Sequence, residues 1–280
     1  MKRLLFILLV LPLHLSMFSQ NTTPPKNTVW AILDSIIQQN SLTNTRIAIM
    51  DVSTGKLMAS IGNIEERQPT KLFTPIALLA CMESGQIRVT DTIDTEEGVY
   101  INGTDTIKDH NWRRGGYGTI SVADGIIHCS NITTQKMIEK SFRQQSDYQL
   151  QLERMDIHGI ENIDNLYYGA SPLQILTLYN MIANNSIKAD FDNVKAVRLV
   201  LQNNVAEGLG KFAASKQVEI AGYERMVVQP NSTYKAEFCG YFPGGIPKYT
   251  AIVSLEGRDG LELKRSCGAL FREIAELLIK

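Results

Sequence analysis

Few residues in this 280-residue chain have the types and spacing that covalent chemistry needs. Two stretches spell Ser-x-x-Lys, in which a lysine amine one turn on can activate a serine: Ser53-Thr54-Gly55-Lys56 and Ser232-Thr233-Tyr234-Lys235. The first falls in a turn and the second between two expected strands. Neither begins a helix, so neither has the context that makes the pattern meaningful. His128-Cys129 sets an imidazole beside a thiol, a candidate Cys–His nucleophile. Neighbours on a helical turn point in different directions, however, which favours a quiet buried thiol. Lys71-Leu72-Phe73-Thr74 places an amine and a hydroxyl one turn apart at the start of an expected helix. The four cysteines, Cys81, Cys129, Cys239 and Cys267, are too widely spaced for a zinc site or a dense disulfide scaffold. Cys81 and Cys239 lie in apolar surroundings and read as packed free thiols. No metal and no cofactor is expected.

The chain that carries these residues is long enough for one good core or two small domains. A hydrophobic content of 44% and a charged content of 20% are ordinary for a globular protein. A formal net charge of −1 argues against a general nucleic-acid-binding surface. Lys2 and Arg3, the apolar run 4–15, and the small residues Ser16 and Ser19 make a secretion signal over 1–19. An uncleaved signal anchor is the alternative. The run is too short to span a bilayer comfortably, and no other stretch is long and apolar enough to cross one. No cysteine follows the run, so a lipoprotein anchor is not expected. The mature chain should be exported, to a place where disulfides are possible.

Periodicity assigns the elements. Segment 29–39 is helical, with Trp30, Leu33, Ile36 and Ile37 on one face, and 46–51 and 56–61 form a hairpin turned by Ser53-Thr54-Gly55. The stretch 68–85 is a loop entering a buried helix: Thr74 can cap it, Pro75 suits its first turn, and Gly85 stops it. Segment 87–95 is extended, and Asn102-Gly103 marks a short hairpin. Ser121 with Asp124, and Ser171-Pro172 with Gln174, are helix starts. Residues 131–155 read mostly as helix and 205–214 as weak helix. Segments 218–228, 235–242 and 249–256 read as three strands, and a closing helix lines up Leu270, Phe271, Ile274, Leu277 and Leu278.

The stretch around Lys71 resembles the nucleophile helix of penicillin-binding proteins, the serine transpeptidases of cell-wall synthesis. There a Pro-Gly-Ser-x-x-Lys-Pro run leads into an Ala- and Leu-rich helix ending in Glu-Ser-Gly. Pro69, Pro75 and Glu83-Ser84-Gly85 align with it without a gap. Cys129-Ser130-Asn131 is similar to the family's Ser-Ser-Asn, Gly169-Ala170-Ser171-Pro172-Leu173-Gln174 to its Thr/Ser-Pro-Leu-Gln helix, and Ile220-Ala221-Gly222 to the Val-Ala-Gly before its Lys-Thr-Gly. Tyr117 stands where a Gly-His-Gly histidine is usual. The resemblance spans nearly all of the mature chain. It implies an α+β fold: an antiparallel sheet flanked by terminal helices, with an inserted helical region. The expected organisation is one domain over 20–280, its sheet from about 28–66 and 200–280 and its helical region from about 67–199.

By this resemblance the catalytic positions fall on Lys71, Thr74, Cys129 and Asn131, and the substrate-binding positions on Tyr223, Glu224 and Arg225. The attacking serine has become Lys71, its lysine base Thr74 and the shuttle serine Cys129; only Asn131 matches. Glu224 would repel a substrate carboxylate, and Arg225 fills space that glycine left open, although it could itself recruit an anion. Lys71 and Glu224 are expected to pair across the groove. The reading is a secreted, non-catalytic, penicillin-binding-protein-like module that binds a peptidoglycan peptide or a cell-wall assembly protein, with membrane contact only through an uncleaved signal. The alternative is an active D,D-transpeptidase, carboxypeptidase or β-lactamase relative using Thr74, Cys129 or one of the Ser-x-x-Lys serines. A β-lactam sensor of this fold would also acylate.

Overall fold

The structure is a computed structural model that describes residues 28–40, 44–164 and 166–279. The expected signal segment lies outside the described residues.

Helix α1 (Thr28–Asn40) buries Val29, Leu33 and Ile36 on one stripe. Trp30, expected in that stripe, is instead 42% exposed, because it is one residue off the line the other three share. The hairpin of β1 (Thr45–Asp51) and β2 (Leu57–Ile61) closes on the Asp51 carboxylate, which accepts hydrogen bonds from the Ser53 and Thr54 hydroxyls, with Gly55 at φ +65°. After β3 (Gln68–Thr70) comes α2 (Thr74–Glu83), apolar all round and buried from Thr74 to Met82. Phe73, not Thr74, holds its N-cap position, and no side chain caps it. The Thr74 hydroxyl donates back to the Lys71 carbonyl at 2.9 Å instead. Gly85, at φ +74°, ends the helix as expected.

Of the segment 87–95 only β4 (Thr92–Asp94) is strand. The hairpin β5 (Val99–Asn102) and β6 (Asp105–Lys108) follows, and then β7 (Thr119–Ser121), which pairs with β4. Ser121 caps α3 (Val122–Ile127) and Ser130 caps α4 (Asn131–Ser141), each accepting from a backbone N–H in the first turn. Helix α5 (Gln145–Arg154) completes the helical stretch expected over 131–155, with a break at 142–144. Strands β8 (Glu161–Asp164) and β9 (Tyr167–Ala170) join β3 in a small sheet. Ser171 and Gln174 form a complete capping box on α6 (Pro172–Ala183). Helix α7 (Phe191–Ala206) has no counterpart in the sequence reading, which placed weak helix only from 205 on.

Strands β10 (Ala221–Val228), β11 (Tyr234–Phe242) and β12 (Tyr249–Gly257) and the closing helix α8 (Gly260–Leu278) fall where expected. The main sheet is antiparallel throughout, in the order β10-β11-β12-β1-β2, so the last strand pairs with the first (Ile47 opposite Val253). Its two faces serve two cores. Phe238, Val253 and Ile47 pack with Phe271 and Ile274 of α8 and Leu33 of α1. Tyr223, Cys239, Tyr241 and Ile252 pack with α2, α6 and α7 on the other face. Strand β10 is an edge, and the segments that meet it carry the site.

Candidate functional site

Three chain segments converge beside β10. Lys71 stands just before α2 and is only 8% exposed. Asn131 is the first residue of α4, and its place is fixed by an anchoring network: Ser130 Oγ donates to Asp109 Oδ2 at 2.8 Å, and the Ile132 N–H donates to Asp109 Oδ1 at 3.1 Å. Asn131 Nδ2 donates to the Lys108 carbonyl at 2.7 Å, which turns its oxygen inward. That Oδ1 accepts from Lys71 Nζ at 3.3 Å and from Arg225 Nη2 at 2.5 Å. Arg225 Nη1 also donates to the Cys129 carbonyl at 2.8 Å. Lys71 Nζ lies 4.3 Å from the ring centre of Tyr167, a cation–π contact that the sequence did not announce.

Alternation along β10 decides what each of its side chains does. Tyr223 and Arg225 face the helices. The Tyr223 hydroxyl is fully buried near Cys129 and Thr74 without a well-formed hydrogen bond to either. Glu224 projects to the other face, where its carboxylate pairs with Lys264 of α8 at 2.7 Å. The expected Lys71–Glu224 pair is therefore corrected: strand period puts the carboxylate on the far side of the sheet, and a helix cation takes it. Both residues are buried, so neither is a solvated surface charge.

The adjacent thiol and imidazole do not work together. Cys129 sits at φ +57° with its Sγ directed at the Glu224 carbonyl, 3.4 Å away, and receives Asn204 Nδ2 at 3.6 Å. The His128 ring stacks instead on Tyr117, with ring centres 5.8 Å apart. Ser53 is held in its turn by Asp51, and Ser232 sits at φ +61° in the turn before β11. Lys235, the lysine of that second pattern, is buried against Glu237 at 3.0 Å. All four cysteines are buried free thiols. Among the described residues no three His, Cys, Asp or Glu side chains converge as a metal site.

Electrostatics single out Lys71. Burial, and then the neighbouring Arg225 charge, push its amine down to about 7. Burial also lowers His110, helped by Lys264, Arg114 and Arg225. It raises Glu224 against the pull of Lys264. Lys71, His110, Cys129, Asn131, Arg225 and the Glu224–Lys264 pair line a cleft of about 270 Å³ that runs over the β10 edge. Lys264 and Tyr167 were missed by the sequence reading. Nothing local distinguishes Lys264 from the other charged residues of an amphipathic helix.

Two solved structures share this architecture. One, described as a peptidoglycan glycosyltransferase from Burkholderia ambifaria, superposes with a TM-score of 0.73 at 18% identity over 90% of this chain and 93% of that one. The other is the apo TP domain of Burkholderia pseudomallei penicillin-binding protein 3, with a TM-score of 0.75 at 15% identity over 90% of this chain and 92% of that one. The fold is thus that of a penicillin-binding-protein transpeptidase domain, an α+β architecture in which sheet and helices meet at the cleft described above. No sequence-family model matches the chain, and no curated protein does.

Proposed function

We propose that this chain is a non-catalytic module built on the penicillin-binding-protein transpeptidase fold, exported to the cell envelope, that acts by binding a peptidoglycan peptide or a protein of cell-wall assembly. It is read as one domain over about 20–280 behind a signal at 1–19. The observation that carries the reading is the Lys71–Asn131–Arg225 cluster. By the sequence resemblance, Lys71 stands at the attacking serine and Arg225 at the glycine of the carboxylate-binding strand. An ammonium and a guanidinium tied to one amide oxygen supply no hydroxyl nucleophile. The hydroxyl at the position of the family's lysine base, Thr74, is 1% exposed and has its proton committed to the Lys71 carbonyl. Reacting groups displaced by an ångström already lose large factors in rate. The folds of the two superposed structures support the module, while activity depends on the site.

A labelled penicillin tests this on the purified chain, with Cys129→Ser alongside. No adduct should survive denaturation. An adduct that persists in wild type and vanishes in Cys129→Ser would make Cys129 the nucleophile and end the non-catalytic reading; one that persists in both would end it through another residue.

A further inference from the structure

We propose that the cleft beside β10 is a binding site for a small oxyanion, a carboxylate or phosphate group, held between the Lys71 ammonium and the Arg225 guanidinium. The proposal deepens the binding role given above and rests on that reading only in treating the guest as bound and not acylated.

Charge in the cleft is unbalanced. Lys71 and Arg225 are 8% and 6% exposed and share a single neutral acceptor, Asn131 Oδ1. Among the described residues neither forms an ion pair with a carboxylate. Of the two nearby carboxylates, Glu224 pairs with Lys264, and Asp109, held by the Ser130 hydroxyl and the Ile132 N–H, acts on Arg225 without contacting it, so the group formed by Lys71, Arg225, Lys264, Glu224 and Asp109 keeps an excess of positive charge. A buried cation without a counter-charge is costly, and two side by side repel each other as well. An anion relieves both costs at once.

The chemistry of the donors fits the same guest. A guanidinium carries five N–H donors and an ammonium three. The bonds to Cys129 and Asn131 use two of the first, and the bond to Asn131 uses one of the second. Both side chains line the cleft, so the remaining donors have somewhere to point. At about 270 Å³ the cleft falls below the usual range for drug-sized ligands but admits a small oxyanion with water. Glu224 and Lys264 line the same space as an ion pair, and His110 is held toward its neutral form, so the positive potential there comes from Lys71 and Arg225. By the resemblance, Arg225 stands on the strand that receives a substrate carboxylate and Lys71 at the attacking position, and the site lies between the two. It adjoins the position of the attacking group itself, so an anion here and an acylating peptide would exclude each other.

Calorimetric titration of the purified chain at pH 6.5, in a buffer free of other oxyanions, tests the site. The probes are inorganic phosphate, N-acetyl-D-alanyl-D-alanine and the C-terminal amide of that dipeptide. One saturable site per chain is expected for phosphate or for the dipeptide acid, weakened at least tenfold in Arg225→Gln and in Lys71→Met, and changed less than twofold in the exposed-surface control Lys195→Gln. Phosphate binding without the dipeptide acid points to a phosphate-bearing ligand; binding of the acid and not the amide points to a peptide terminus. No saturable binding of either oxyanion, or equal affinity in Lys71→Met, would overturn the proposal. Lys71→Met removes a strained charge and should fold at least as well as wild type, so its result stands even if Arg225→Gln unfolds. Absent anion binding together with absent penicillin labelling sinks this proposal alone. Anion binding together with a penicillin adduct sinks the non-catalytic reading alone.

Discussion

Two buried lysines near the same sheet face have opposite surroundings. Lys235 of β11 pairs with Glu237 at 3.0 Å and donates to the Pro69 carbonyl at 2.7 Å, while Thr70 Oγ1 donates to the other Glu237 oxygen at 2.8 Å. That network closes on itself, neutral and satisfied, and it staples β3 to the main sheet. Lys71, one residue beyond β3, has no carboxylate and shares an amide oxygen with an arginine. The contrast separates a lysine that serves the fold from one that burdens it. The binding role proposed above would account for keeping such a burden.

The largest effect should come from breaking the closed network. Glu237→Gln leaves Lys235 buried without its counter-charge and should destabilise the chain by about 3–5 kcal/mol. The double variant Lys235→Met/Glu237→Leu should recover most of that loss. Urea denaturation measures both, and a mild single variant would mean that the two lysines are not different in kind.

A smaller effect of opposite sign is expected at Lys71. Its amine titrates near 7 in the folded chain, below its ordinary value. Between that pH and roughly 10.4, the unfolded chain holds a proton that the native chain has released, so wild-type stability rises with pH across this window. Lys71→Met should therefore stabilise the protein by about 2–4 kcal/mol at pH 6 and by only about 1 kcal/mol at pH 9.5. The charged or titratable groups facing the amine are Arg225 from β10 and Tyr167 from β9; His110 lines the same cleft, and Glu224 is turned away to Lys264. Urea midpoints at the two pH values, in phosphate-free buffer, check the sign. A gain that does not depend on pH would remove charge as its cause.

The smallest effect belongs to Ser53, in the first Ser-x-x-Lys pattern. It is exposed and serves only its turn, so Ser53→Ala should change stability by about 0.5 kcal/mol or less and leave penicillin labelling as in wild type.

What could be read from the sequence was local. Ser171 and Gln174 form the box their spacing promised, Gly85 ends α2, and the last three strands lie within a few residues of their expected ends. Turn chemistry and period-two patterning act over a handful of residues, so they survive in the linear order. Helix α7 escaped because its apolar positions are interrupted by Lys195, Arg198 and paired asparagines. Its burial depends on α2, α3 and β10, which lie far away along the chain.

The site divides along the same line. The sequence alone determined that an amine stands before α2 where the resemblance calls for a hydroxyl, that Asn131 stands where the resemblance calls for an asparagine, and that Tyr223, Glu224 and Arg225 follow one another on a strand. Only the tertiary structure decided that Arg225 reaches Asn131 across 94 positions, that Glu224 leaves for Lys264, and that Lys71 goes without a carboxylate. Side-chain identity is written residue by residue, but charge compensation is a property of what the fold brings within a few ångströms.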